Sequence, residues 1–163
     1  MKAGQVAELY RVLEQAGISA VVDGGWCIDA LLGRQTRDHP DLDLAIEHKD
    51  EPKLKKWLKD NGFTEIKRND SSAWNYVMGS DADEILDIHI FEYDSAGNNI
   101  YGIEYPYGSL TGEGVIKGQT VRCIAPEWMF KFKTAYEPKD KDLKDVQALA
   151  RKFNFELPHN YKV

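Results

Sequence analysis

The chain has 163 residues, 42% of them hydrophobic and 29% charged, with a formal net charge of −6. These are the proportions of a single folded globular domain, and the acidic balance argues against a broad grip on duplex nucleic acid, which needs a basic face. No apolar run approaches the roughly 18 residues of a membrane helix, and the N-terminus leads into an amphipathic pattern and not an apolar signal core, so the expectation is a cytoplasmic protein without membrane or nucleic-acid partners.

Val6, Leu9, Leu13 and Ala16 recur at helical spacing and predict a first helix over 5–16, stopped by Gly17. Residues 18–22 form a β-branched strand, broken at Asp23-Gly24-Gly25. Residues 26–32 read as a short helix ended by Gly33, and a polar loop leads to a strand over 42–47. Residues 51–61 are helical, with Gly62 as the stop, and 63–67, 74–78 and 85–91 read as strands. Residues 98–118, rich in glycine and aromatics, read as loops with short strands, and 119–123 as another strand. Ala125-Pro126 opens a helix with Trp128, Met129, Phe132 and Tyr136 on one face. A last helix spans 140–153, with Leu143, Val146, Leu149 and Ala150 inward. The reading is an α/β or α+β fold, a sheet flanked by helices, forming one domain over 1–163 in which the helices at about 125–155 are a candidate small subdomain. Cys27 and Cys123 lack metal-ligand spacing and read as reduced, buried thiols. The four histidines form no zinc motif.

The chemistry concentrates in two strands. In Asp41-Leu42-Asp43-Leu44-Ala45-Ile46 the period of two points Asp41 and Asp43 to one face and the apolar residues to the other. Two carboxylates this close repel each other unless they share a cation, and an all-oxygen donor set suits a hard ion such as Mg²⁺. An EF-hand loop is ruled out, because glycine and glutamate are missing at its sixth and twelfth positions. In Leu86-Asp87-Ile88-His89-Ile90 the same alternation puts Asp87 and His89 on one polar face. Gly24 and Gly25, at a strand-to-helix turn, permit close approach of backbone N–H groups to phosphate oxygens. Arg37 is near enough in sequence to reach a phosphate bidentately. Lys131, Lys133, Lys139, Lys141 and Lys144 form a basic cluster near the end, from which one or two residues could close on a triphosphate.

Residues 24–29, the run Gly33-Arg34-Gln35-Thr36-Arg37-Asp38-His39 and Asp41-Leu42-Asp43 together resemble the small antibiotic nucleotidyltransferases, both lincosamide and aminoglycoside 2″-adenylyltransferases, which have the DNA polymerase β-like nucleotidyltransferase fold. The resemblance is strongest over 21–46. It continues through Leu86-Asp87-Ile88-His89, Gly114-Val115-Ile116 and Val121-Arg122-Cys123. It implies a mixed sheet with C-terminal helices and transfer of a nucleoside monophosphate from an NTP, ATP or GTP, to a hydroxyl of a small molecule. It further implies that Asp41 and Asp43 hold Mg²⁺, that Asp87 is a third metal ligand or the base, that Gly24 and Gly25 cradle phosphates, and that Arg37 and Lys133 neutralise the departing pyrophosphate. Such enzymes often dimerise, so a homodimer is also expected.

For the acceptor, the resemblance divides. The aminoglycoside branch tends to carry a second acid two residues after the third aspartate, where this chain has His89, and Leu-Asp-Ile-His looks more like the lincosamide branch. The segments at 114–116 and 121–123 look more like the aminoglycoside branch. His89, Glu92 and Tyr105 are the candidate acceptor-binding residues, and the expectation sets lincosamides slightly ahead. Two other readings stay open: a nucleotidyltransferase-fold regulator that modifies RNA or protein, and a non-catalytic nucleotide-binding module.

Overall fold

Leu42, Leu44 and Ile46 are fully buried, and the strand they define lies inside the sheet rather than at its edge. The computed structural model describes residues 1–162. Its strands are β1 (Ala20–Val22), β2 (Leu42–Glu47), β3 (Thr64–Ile66), β4 (Asn75–Gly79), β5 (Ile85–Tyr93), β6 (Asn99–Gly102), β7 (Gly112–Ile116) and β8 (Gln119–Cys123). They form a single sheet in the order β3-β4-β5-β2-β1-β8-β7, with β6 pairing to β5. Pairing is parallel between β2 and β5 and between β1 and β8, and antiparallel elsewhere. The expected mixed sheet flanked by helices is present.

The helices are α1 (Ala3–Gln15), α2 (Gly24–Leu32), α3 (Glu51–Asp60), α4 (Pro126–Thr134) and α5 (Asp140–Phe153). Among the described residues no helix is long and apolar enough to cross a membrane. Helix α2 is buried along Trp26–Leu31 because it has protein on both sides: β2, β7 and β8 beneath it, α4 and α5 above it. It begins at Gly24 and not at residue 26, because the Asp23 side chain accepts the Gly24 N–H at 2.6 Å as an N-cap. It ends, as expected, on Gly33 in the left-handed region.

The 98–118 stretch contains the expected short strands, β6 and β7, and β7 returns through a two-residue turn in which Lys117 and Gly118 both have positive φ, the twist a tight hairpin requires. Two departures from the sequence reading have local causes. Helix α4 stops before Tyr136, which therefore leaves its apolar face and is 45% exposed. In α5, Val146, Leu149 and Ala150 are buried as expected, but Leu143 is only half-buried, while Asp142 and Asp145 are buried beside them. Cys27 and Cys123 are free and buried, as expected.

Gly114 fixes how closely β7 meets α2. A Cβ at that position would lie 2.5 Å from the Ala30 carbonyl carbon and oxygen, which are backbone atoms with nowhere to go. Gly114→Ala is expected to cost about 1–3 kcal/mol by overpacking, read as a lower urea midpoint. An unchanged midpoint would mean that α2 is free to shift over the strand.

Candidate active site

The parallel pairing of β2 with β5 sets Asp43 directly beside Asp87 and Ala45 beside His89. Side chains in register on neighbouring strands share a face, so the two polar strands meet as one cluster. Ligand atoms of Asp43, Asp87 and His89 all lie within 4.8 Å of one another. Asp41 precedes β2, outside that close group, and adds its charge to the field on Asp43. Asp23, just beyond β1, joins from the other side, its N–H donating to the Asp43 carbonyl at 2.9 Å.

Three carboxylates, Asp23, Asp43 and Asp87, therefore surround one imidazole. Burial and the charges of Asp23, Asp41 and Asp87 push the Asp43 carboxyl from 3.8 up to about 7, with only His89 opposing them. Burial alone would keep His89 neutral, but Asp23 and Asp87 outweigh it and raise the imidazole to about 10. Protonated His89 donates from Nδ1 to the Tyr105 hydroxyl at 3.1 Å, and that hydroxyl donates to Asp23 Oδ2 at 2.7 Å. Its Nε2 stands 3.3 Å from Asp87 Oδ1. Burial disfavours ionised Asp23, yet His89, Tyr105 and the Gly24 N–H together hold it below the usual carboxylate range. On the outer side, Arg68 Nη1 reaches Asp87 Oδ2 at 3.5 Å. A buried Asp87 Oδ1 that makes no hydrogen bond, though it lies 3.3 Å from His89 Nε2, next to an Asp43 whose ionisation burial and three like charges oppose, fits a divalent cation better than a purely structural cluster. Adding such a charge would favour the ionised form of Asp43.

Gly24 and Gly25 are expected to cradle phosphates. The structure gives them a further reason to be glycine. Gly24 has φ +61, and a Cβ there would lie 2.0 Å from Asp43 Oδ2; a Cβ on Gly25 would lie 2.2 Å from His39 Nδ1 and 2.9 Å from Arg37 Nη2. The turn is thus bare where site side chains cross it, and the Gly24 N–H is already taken by Asp23.

Arg37 and Lys133 converge on α5. Arg37 Nη2 donates to the buried Asp145 at 3.1 Å, and Lys133 lies 3.5 Å from the buried Asp142. Arg37 Nε is buried without a partner. Tyr105, in the loop after β6, is 4% exposed and forms a wall of the site through its hydroxyl. Glu92 is not brought to the cluster: an odd step along β5 from Asp87 turns it to the opposite face, where its carboxylate meets His48 Nδ1 at 2.9 Å.

The sequence reading overlooked Asp23, Arg68, Asp142, Asp145 and the Asp29–His39 pair. Asp29 Oδ2 meets His39 Nε2 at 2.5 Å, and Asp29 Oδ1 accepts from both the N–H and the hydroxyl of Thr36. This buried pair clamps the loop after α2 and so sets where β2 begins. A lone acid within the apolar run Trp26-Cys27-Ile28-Asp29-Ala30-Leu31 was the signal available for it.

The sequence profile described as aminoglycoside-2″-adenylyltransferase matches residues 5–149. A 2″-aminoglycoside nucleotidyltransferase from Escherichia coli is 29% identical over 157 residues, covering 91% of this chain and 85% of that protein. A lincosamide resistance protein from Staphylococcus haemolyticus is 26% identical over 151 residues, covering 87% and 92%. The crystal structure of the lincosamide antibiotic adenylyltransferase LnuA, bound to lincomycin, superposes with a TM-score of 0.75 at 22% identity, covering 91% of this chain and 96% of that one, a likeness of fold.

Because folding raises the Asp43 pKa from 3.8 to about 7, the native chain binds more protons than the unfolded chain in that window and loses stability as pH rises through it. Asp43→Asn removes the loss. In chelator, the variant is expected to melt near wild type at pH 4 and above it at pH 8. Added Mg²⁺ should then raise the wild-type melting temperature and leave the variant unmoved. Equal Mg²⁺ shifts in both proteins would count against Asp43 as a ligand.

Proposed function

This chain belongs to the aminoglycoside-2″-adenylyltransferase family, and we propose that it transfers a nucleoside monophosphate from an NTP to a hydroxyl of an antibiotic, a lincosamide ahead of an aminoglycoside. The observation that carries this reading is the register pairing of Asp43 with Asp87 inside a field of like charge. Asp41, Asp43 and Asp87 would hold Mg²⁺, which when bound draws the triphosphate oxygens together and offsets the negative charge that develops on them.

The chain's own residues do the rest. N–H groups at the start of α2, beyond the one held by Asp23, receive phosphate oxygens, favoured by the helix dipole. Arg37 sits beside Gly25 at that same helix end and balances charge on the leaving pyrophosphate, with Lys133 supporting it from α4. Asp87, facing the acceptor, takes the proton of the attacking hydroxyl, which requires only hydrogen-bond reach. Tyr105 and Asp23 hold His89 in place, so the position two residues after Asp87 presents a cation rather than a second carboxylate. A polycationic aminoglycoside gains nothing there, whereas a lincosamide, with one amine and several hydroxyls, loses less.

The test is pyrophosphate release from ATP and from GTP, with Mg²⁺ and lincomycin, kanamycin or no acceptor. Release is expected with lincomycin. Release with no drug at all would overturn the antibiotic reading, and a tenfold or greater kcat/KM preference for kanamycin would overturn the ranking. Asp43→Asn and Asp87→Asn are each expected to lower kcat by about 100-fold or more, equivalent to ~2.7 kcal/mol of barrier, while remaining folded by circular dichroism. Retention of a tenth of wild-type turnover by both would remove the assigned roles.

A further inference from the structure

The site has a direction across the sheet. On the β1 side of Asp43 and Asp87 lie Gly24, Gly25 and Arg37, the groups suited to phosphates. On the β4 side lies the loop that follows β3, and it carries Arg68. A turn anchors the arginine there: its N–H donates to Ser71 Oγ at 2.9 Å, and the Ser71 N–H donates to the Arg68 carbonyl at 3.1 Å. The side chain, 42% exposed, extends to within 3.5 Å of Asp87 Oδ2. With phosphates on one flank of Asp87, a hydroxyl that gives its proton to Asp87 must approach from the other, past Arg68.

We propose that Arg68 determines acceptor specificity, admitting a polyhydroxylated molecule with at most one amine and rejecting polycations. The inference rests on the transfer reaction proposed above. A guanidinium is charged at every accessible pH, so each ammonium group brought beside it, next to the half-buried Asp87, meets repulsion. Specificity of this kind comes from a penalty on the wrong ligand as much as from contacts to the right one. The arginine also competes with any cationic acceptor for Asp87, the acid such an acceptor would otherwise use.

Arg68→Glu and the charge-preserving Arg68→Lys test the proposal against wild type, with lincomycin and tobramycin as acceptors and ATP as donor. Arg68→Glu is expected to raise the tobramycin-to-lincomycin ratio of kcat/KM at least tenfold, the change lying in KM for tobramycin, and Arg68→Lys to keep the wild-type ratio. Wild-type kcat/KM for tobramycin should also rise with added salt, which screens the repulsion. A ratio that moves less than tenfold in Arg68→Glu, or moves equally in Arg68→Lys, overturns the role of Arg68. Drug binding by calorimetry is measured on the same three proteins and does not need turnover. Wild-type protein that modifies neither drug overturns the proposed reaction, whereas an affinity ratio unchanged by Arg68→Glu overturns this inference alone.

Discussion

Everything at this site depends on the enforced closeness of like charges. The parallel ladder between β2 and β5 leaves Asp43 and Asp87 no choice but to face one another, and the continuation of β1 brings Asp23 against them. The apolar residues that alternate with these acids, Leu42, Leu44, Leu86 and Ile88, are fully buried. A one-residue slip of either strand would turn the acids into the core and the apolar residues out. The hydrophobic effect therefore holds the register, and the register holds charges that would otherwise separate. His89, tied to Tyr105 and through it to Asp23, balances part of that charge from within the cluster.

The surroundings are arranged to permit this. The glycine turn before α2 leaves space where Asp43, His39 and Arg37 cross it. Helix α2 is apolar on almost every side, so it can be enclosed between the sheet and the last two helices. Those helices are attached by ion pairs as well as by packing: Asp145 takes Arg37, and Asp142 takes Lys133. Buried pairs of this kind add little net stability over an apolar contact, but removing one partner strands the other at a cost of about 3–5 kcal/mol. They fix the position of the two cations and tie α5 to the loop after α2 and to α4.

The two flanks of the carboxylates differ in what they offer. One has helix N–H groups and two cations, Arg37 and Lys133, held by acids of α5. The other has Arg68. In the reaction proposed above, a donor rich in negative charge and an acceptor rich in hydroxyls would meet at Asp87 from opposite directions, each passing a cation.

Much of this was legible in the sequence. Period-two alternation identified β2 and β5 and put Asp43 with Asp87 and His89 on polar faces, because strand geometry leaves a side chain only two directions. Helical periodicity and glycine stops located α1, α3 and α5 to within about two residues, the usual uncertainty of helix ends. What local pattern could not supply was distance along the chain. The pairing of β2 with β5 across more than forty residues, the approach of Asp23 and Arg68, the removal of Glu92 to the far face and the capture of Arg37 and Lys133 by Asp145 and Asp142 all depend on which strands and helices lie side by side. The acids on α5 show the difference most plainly. In sequence they belong to a charged helix of ordinary appearance, and only after α5 covers α2 do they become buried partners. Local chemistry determined which residues could form a site, and tertiary packing decided which of them meet and which are turned away.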